Sequence, residues 1–477
     1  MDLPVEFANY TRQLMGETLF NIFEIALEEE VSSSIRLNPY KCNIDSINIP
    51  LSESIIPWCD NFGSGHYLKH RANFTFDPLF HAGVYYVQEA SSMFISHVLN
   101  QYIDRPITIL DLCAAPGGKS TAASAILKEG SLLISNEPIR SRAQILSENI
   151  AKFGNKDVIV TNNYPTDFKK SRLMFDVIIT DVPCSGEGMF RKDEGAVREW
   201  SKQNVENCWK KQREIVGDIW DNLIPGGLLI YSTCTFNTKE NEENIKWISE
   251  ELGADIMPVD TDESWNITGS LLKDYNKPVY RFIPGKTKGE GLFMAVLKKN
   301  GEYHDFHDIK LAKKDRYVRQ QKDSVTVKPN SDWLQNSSSF RILKYKDDFI
   351  AIPKAWEDIY NTTMNSLHVL SAGIKLGTLK GKDIIPSQSL ALSTALDKSA
   401  FPNIELSYED AIAYLRKETV NFPENTPKGY ILVTYKEYPI GFEKNIGNRA
   451  NNLYPQEWKI KSTHIPNEDR EIVQFGN

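Results

Sequence analysis

Cysteine is scarce, and its placement excludes more than its number does. The 477-residue chain has six (Cys42, Cys59, Cys113, Cys184, Cys208 and Cys234), and no two of them form a Cys-x-x-Cys pair. This pattern speaks against a disulfide framework and against a zinc site, so no metal is expected and the thiols should be free in a reducing compartment. No apolar run approaches the roughly 18 residues that cross a bilayer. The acidic segment Met1 to Thr11 is too poor in apolar residues to be a signal peptide. The expected location is the cytoplasm, with no membrane partner. Positive charge is also short: 55 Lys and Arg face 63 Asp and Glu, for a formal net charge of −8 and a pI near 5.7. Such a chain cannot hold nucleic acid by its global field, and only a local basic face could do so. Internal repeats are absent, and so are two common phosphate signatures. A P-loop ending at Gly118-Lys119-Ser120 would need glycine at position 113, which is Cys113, and no G-x-G-x-x-G occurs.

The composition, 41% hydrophobic and 25% charged, is that of an ordinary globular protein. At this length several domains are expected. Residues 1 to 30 read as helical, with Leu14, Phe20, Phe23 and Leu27 at three-to-four spacing; from 40 to 80 the pattern is mixed, with a basic aromatic run Tyr67-Leu68-Lys69-His70-Arg71. Apolar runs at 107–112, 131–135, 157–161, 175–180 and 227–233 alternate with helix-like stretches such as 119–128 and 140–153. That alternation predicts parallel βαβ units. Runs at 279–283 and 291–297 are joined tightly enough to be antiparallel neighbours. The expected fold class is therefore α/β: a doubly wound, Rossmann-like sheet with one antiparallel edge strand. A basic run at 313–322 and an Asn, Ser and Pro-rich stretch at 328–339 then mark a segment and linker before a second unit, with strands near 340–352 and 430–435 and a helix at 408–418.

The chemistry gathers at the ends of the predicted strands. The first runs into Cys113-Ala114-Ala115-Pro116-Gly117-Gly118-Lys119, a glycine turn before a helix that lets backbone approach a cofactor. Glu137 ends the second strand, where a carboxylate can accept from ribose hydroxyls, and Asn162 and Asn163 end the third, where an adenine edge would lie. Taken together they suggest an adenosine-containing cofactor without phosphates, such as S-adenosylmethionine. The fourth strand delivers Asp181-Val182-Pro183-Cys184-Ser185-Gly186-Glu187-Gly188-Met189-Phe190-Arg191, and the fifth Ser232-Thr233-Cys234-Thr235. A lone cysteine in an apolar strand is most often a small core residue. Two thiols beside a methyl donor fit cytosine chemistry: a thiolate adds at carbon 6 to make carbon 5 nucleophilic, and a second base later removes the carbon 5 proton. Cys184, Cys234 and Asp181, the acid near N3, would fill the roles, and spacing leaves open which thiol attacks.

These motifs, with Asn136 to Arg142 and Lys288-Gly289-Glu290-Gly291-Leu292-Phe293, resemble the RNA (cytosine-5) methyltransferases, and within them the bacterial small-subunit (16S) ribosomal RNA methyltransferase F type. The resemblance covers residues 1 to 300, and the tail segments 372–377 and 429–434 look like that subgroup's accessory and PUA-like parts. It implies a class I methyltransferase domain at 101–300, an N-terminal α+β RNA-binding region at 1–100, a basic segment and linker at 301–340, and an accessory plus PUA-like α+β RNA-binding module at 341–477. It also implies that Cys234 is the nucleophile, that Cys184 assists product release, and that the 113–119 loop, Glu137 and Asp181 touch S-adenosyl-L-methionine. Val182 stands where alanine is usual, and Asn163 where an acid often stands. The implied partner is ribosomal RNA or the small subunit, gripped by Lys69, Arg71, Arg191, Lys192 and the C-terminal module, and nothing demands more than a monomer. Two alternatives stay open: a ribosome-assembly factor that binds RNA without chemistry, and 5-methylcytosine formation in tRNA. An amino-directed methyltransferase would instead favour Asp/Asn-Pro-Pro-aromatic where this chain has Asp181-Val182-Pro183-Cys184.

Overall fold

Alternate residues of the central apolar runs enter two different cores, which is what a sheet covered by helices on both faces requires. Ile109, Leu133, Val160, Val177 and Ile179 pack on one side; Leu110, Ile134, Ile159 and Ile178 pack on the other. The computed structural model describes residues 1–62, 64–302, 331–462 and 470–475. The basic run 313–322 and the first part of the linker, 328–330, lie outside the described residues.

The strands of the central nine-stranded sheet are β1 (Thr108–Asp111), β2 (Leu132–Asn136), β3 (Val158–Thr161), β4 (Phe175–Asp181), β5 (Leu223–Thr233), β6 (Ala254–Met257), β7 (Tyr280–Phe282), β8 (Leu292–Lys299) and β9 (Val369–Ala372). Their order is β6-β8-β5-β4-β1-β2-β3-β9, with β7 alongside β8. Strands β1 to β5 pair in parallel. The helices Gly118–Ile126 and Arg140–Phe153 lie where the periodicity puts them, and β7 and β8 are antiparallel neighbours as their tight connection requires.

Two details differ from a sheet with a single reversed strand at its rim. β8 runs antiparallel to β5, but β6 covers its far side, so it lies one place in from the edge. At the opposite edge β9, from beyond residue 340, pairs antiparallel with β3. An uncovered β3 would leave a row of backbone donors and acceptors open, and a strand from the C-terminal region closes it. Nothing in Val369-Leu370-Ser371-Ala372 marks which sheet it joins.

The N-terminal region is a helix over Val5–Ala26, kinked at Gly16 (φ +74°), followed by a four-stranded antiparallel sheet of Ser33–Leu37, Ser52–Ile55, Gly65–Leu68 and Tyr85–Val87. In the C-terminal region, hairpins at Phe340–Pro353 and Gly429–Asn445 anchor two further four-stranded sheets. The two ends of the chain share one hydrophobic core, in which Ile35, Phe76 and Leu79 pack among residues that include Ile412, Leu415 and Val433. Ile47–Asn48 also pairs with Gln474–Phe475, and the Tyr408 hydroxyl donates to the Phe76 carbonyl at 3.0 Å. Among the described residues no helix is long and apolar enough to cross a membrane.

Candidate active site

From β1 the strand order runs to β2 and β3 on one side and to β4 and β5 on the other. Ligands of open α/β sheets bind beyond the strand ends at such a reversal. There Asp181 closes β4 and lies opposite Ser232 of β5. One Asp181 oxygen accepts from Lys119 Nζ at 2.8 Å and the other from the Ser232 hydroxyl at 2.7 Å. Burial pulls the Lys119 ammonium down, but the attraction and hydrogen bond of Asp181, helped by Asp111 and Cys234, leave it above its ordinary value. Lys119 therefore stays a cation at the junction of the glycine loop and the thiols.

Cys184 Sγ and Cys234 Sγ are 3.0 Å apart. The hydrogen bond to Cys234 pushes the Cys184 thiol well up, and burial and the charges of Cys234 and Glu240 add to it. Tight backbone contacts hold them: Gly188 N donates to Cys234 O at 2.7 Å. A Cβ on Gly188 would come 2.9 Å from that same carbonyl, which only glycine avoids.

Four groups that the sequence reading did not single out surround this pair. Glu187 and Glu240 are 1% and 0% exposed. Gln212 reaches from the helix Lys202–Ile219 to the Pro183 carbonyl at 2.9 Å. Arg281 of β7, 1% exposed, donates to Phe236 O at 2.8 Å and pairs with buried Glu242. Glu187 lies within the Asp181 to Arg191 motif, but the stretch Asn237 to Asn244 reads as a polar surface segment. Its one usable signal was that the acids open the helix Glu242–Glu251, whose N-terminus favours them.

The residues named for the cofactor meet at the same sheet edge. Gly117 caps the helix Gly118–Ile126 with φ +116°, where side chains are strained. Ala114 N bonds Asn136 O at 2.8 Å, and Arg142 donates to Ala115 O at 3.0 Å. Burial, then Asp111, Asp181 and Glu137, raise the Cys113 thiol. Glu137 is 2% exposed; one oxygen accepts from Ile139 N at 2.9 Å, while the other has Arg142 at 3.6 Å. Asp111 is pushed up to about 7, mainly by burial. One of its oxygens takes the Ser120 hydroxyl at 2.7 Å, and the other has no partner among the described residues. A backbone loop that admits close approach, with one Glu137 oxygen held only at ion-pair distance by Arg142, fits an adenosine-containing cofactor. Asn163 is committed elsewhere: its amide donates to His368 O (3.1 Å) and accepts from His368 N (3.0 Å). Asn162 braces the Glu137 turn through the Glu137 and Pro138 carbonyls at 2.7 and 2.9 Å.

Of the residues expected to meet RNA, Lys69, Arg71 and Lys192 are exposed. Arg71 lines an open cavity of about 500 Å³ with Asn73, Phe74, Phe80 and Val87. Arg191 does not present itself to a partner: its side chain is 7% exposed, pairs with Glu290 at 3.4 Å, and donates to the Glu29 and Glu30 carbonyls at 2.9 and 2.6 Å. Nη1 and Nη2 thereby tie the thiol motif to the end of the first helix region, while Nε is buried with no partner among the described residues.

Family models match three consecutive parts of the chain: "N-terminal domain of 16S rRNA methyltransferase RsmF" over residues 3–90, "16S rRNA methyltransferase RsmB/F" over 100–298, and "Methyltransferase RsmF PUA domain" over 401–460. The chain is 30% identical over 484 residues to the ribosomal RNA small subunit methyltransferase F of Escherichia coli (strain K12), covering 95% of this chain and 96% of that one. It is 27% identical over 486 residues to the protein of the same name from Pectobacterium atrosepticum, covering 95% of each. Among solved structures, a methyltransferase homologue from Pyrococcus horikoshii aligns with TM-score 0.52 at 23% identity, over 62% of this chain and 94% of that one. NSun6 from the same organism, crystallised with SFG, aligns with TM-score 0.51 at 20% identity, over 63% and 99%.

Proposed function

The chain belongs to the RsmF-type 16S rRNA methyltransferases, S-adenosyl-L-methionine-dependent RNA methyltransferases, and from that premise we propose that it makes 5-methylcytosine in small-subunit ribosomal RNA through a covalent adduct on Cys234. The observation that carries this reading is the pair of sulfurs 3.0 Å apart beside the Lys119–Asp181 ion pair. Residues 113–119, Glu137 and Asp181 would hold the cofactor, which when bound supplies a methyl group on a sulfonium for carbon 5 to take.

The chain's own residues do the rest. Asp181, held by Lys119 and Ser232, orients the cytosine, and the Lys119 cation opposes the negative charge that builds in the ring as the Cys234 thiolate bonds to carbon 6. Once carbon 5 carries the methyl group, its proton must leave. By then the Cys234 sulfur is bound to carbon and no longer shares a proton with Cys184. The hydrogen bond that does most to raise Cys184 is then gone, while burial still raises it, and Cys184 gives up its proton to solvent. As a thiolate it takes the carbon 5 proton, the 5,6 double bond re-forms, and the carbon–sulfur bond breaks to return the Cys234 thiolate.

The target base must be turned out of its stack to reach two sulfurs at a strand end. Residues 1–100 and 341–477, joined by their shared core, are the proposed RNA grip, with Lys69 and Arg71 on it. The working unit is a cytoplasmic monomer in this reading. RNA carrying 5-azacytidine should trap a covalent adduct on the wild type and none on Cys234→Ala, while Cys184→Ala should accumulate adduct on ordinary RNA. Absence of any adduct with intact Cys234 would sink the mechanism. Bisulfite sequencing of ribosomal RNA from a deletion strain should lose one signal and thereby name the cytosine; no loss would leave a binding role without chemistry.

A further inference from the structure

Both thiols sit on irregular backbone just past a strand, where no ladder holds them, yet the reaction needs each at a different moment and in a defined place. Two buried carboxylates supply the missing constraint, and they divide it unevenly. Glu240 accepts from Ser185 N (3.0 Å) and Gln212 Nε2 (2.7 Å) on one oxygen, and from the Ser185 hydroxyl (2.5 Å) and Asn237 Nδ2 (2.8 Å) on the other. Gln212 also reaches Pro183 O. Glu240 and Gln212 thus fasten the residues on either side of Cys184, and Glu240 shares Asn237 of the turn after Cys234 with Glu187. Glu187 accepts from Phe236 N (2.6 Å) and Asn237 N (3.0 Å) on one oxygen, and from Trp200 Nε1 (3.0 Å) and Asn237 Nδ2 (2.9 Å) on the other. Those bonds fasten the turn that follows Cys234.

The four contacts to Glu187 and three of the four to Glu240 come from N–H groups, which a carboxylate accepts, and the fourth is the Ser185 hydroxyl. Burying two carboxylates close together is unfavourable, and a loop that only had to pack would be held more cheaply by apolar contacts. Resting on the two-thiol reading above, we propose that Glu240 is the positioning residue for Cys184 and hence for product release, and that Glu187 is the positioning residue for Cys234 and hence for attack on carbon 6. Neither touches the base.

The division makes the proposal testable, because the two steps are measured separately. Glu240→Gln keeps the length of the side chain but turns one acceptor into a donor facing donors. It should bind S-adenosyl-L-methionine and form adduct on 5-azacytidine RNA at rates within about twofold of wild type. On ordinary RNA it should accumulate adduct, with kcat down about tenfold or more and KM for RNA little changed, since small misplacements of a reacting group cost one to two orders of magnitude. Glu187→Gln should do the reverse: slow adduct formation on 5-azacytidine RNA by about tenfold, without accumulation on ordinary RNA. Glu240→Asp, shorter but still acceptor-only, should restore part of the release rate. Should Glu240→Gln fail to fold, Ser185→Ala removes the hydroxyl bond to Glu240 together with weaker contacts to Thr235 and Asn237, and should show the same accumulation to a lesser degree. The proposal is overturned if the two variants slow both steps equally, if neither slows either, or if Ser185→Ala and Glu240→Gln release product at the wild-type rate. A wild type that forms no adduct at all would instead remove the two-thiol reading, and this assignment with it.

Discussion

Glu240 beside the thiols and Glu443 in the C-terminal sheet are both 0% exposed and both pushed up to about 7, but their surroundings have little in common. At Glu240, burial comes first and the neighbouring charge of Glu187 second, against the pull of Ser185, Asn237 and Gln212. At Glu443, on the strand Tyr438–Asn445, burial acts alone. Neither of its oxygens has a hydrogen-bond partner among the described residues. The thiol region surrounds its acids with donors and an arginine; the C-terminal sheet simply encloses one. A surrounded acid is an anchor whose removal leaves orphaned donors, whereas an enclosed one is a liability held in check by a proton.

Breaking the surrounded side should have the largest effect. Arg281→Met would strand Glu242, its fully buried partner, and should cost about 3–5 kcal/mol in urea unfolding. A loss under about 1 kcal/mol would mean the thiol region tolerates a buried lone charge. Next comes a direct exchange of the two glutamates for leucine. Glu240→Leu should destabilise by about 3 kcal/mol through orphaned donors, while Glu443→Leu should be neutral or stabilising by about 1 kcal/mol. Equal losses would erase the distinction between the two sites.

A further test is in pH. Both acids move from an ordinary 4.5 to about 7 in the folded chain. Between those values the folded state keeps protons that the unfolded state has released. Each group's contribution to stability therefore falls as pH rises toward 7 and is level above it. Glu443→Gln should remove its share, so its stability relative to wild type should rise between pH 4.5 and 7. A difference that stays flat across that window would show that Glu443 has an unseen partner.

Much of the architecture was legible because it is local. Alternating apolar runs and helix periods located β1 to β5 and the helices after β1 and β2, and parallel connection implied that Cys184 and Cys234 would share one edge. What was missed is non-local. The closing of β3 by β9 depends on an edge that one strand cannot see from its own sequence. The common core of the two chain ends joins Ile35 to Val433. Arg191 reads as an exposed cation, until the Glu29 and Glu30 carbonyls and Glu290 are found around it.

By itself the sequence determined the thiols, the glycine loop, the strand that carries each motif and the family they belong to, since these depend on residue identity and short-range periodicity. Tertiary structure alone decided which acids are anchors. Glu240 meets Ser185 across 55 positions and Glu187 meets Phe236 across 49, so burial and hydrogen-bond partnership arise only when β4 and β5 lie side by side. A carboxylate's role follows from the donors around it, and those come from elsewhere in the chain.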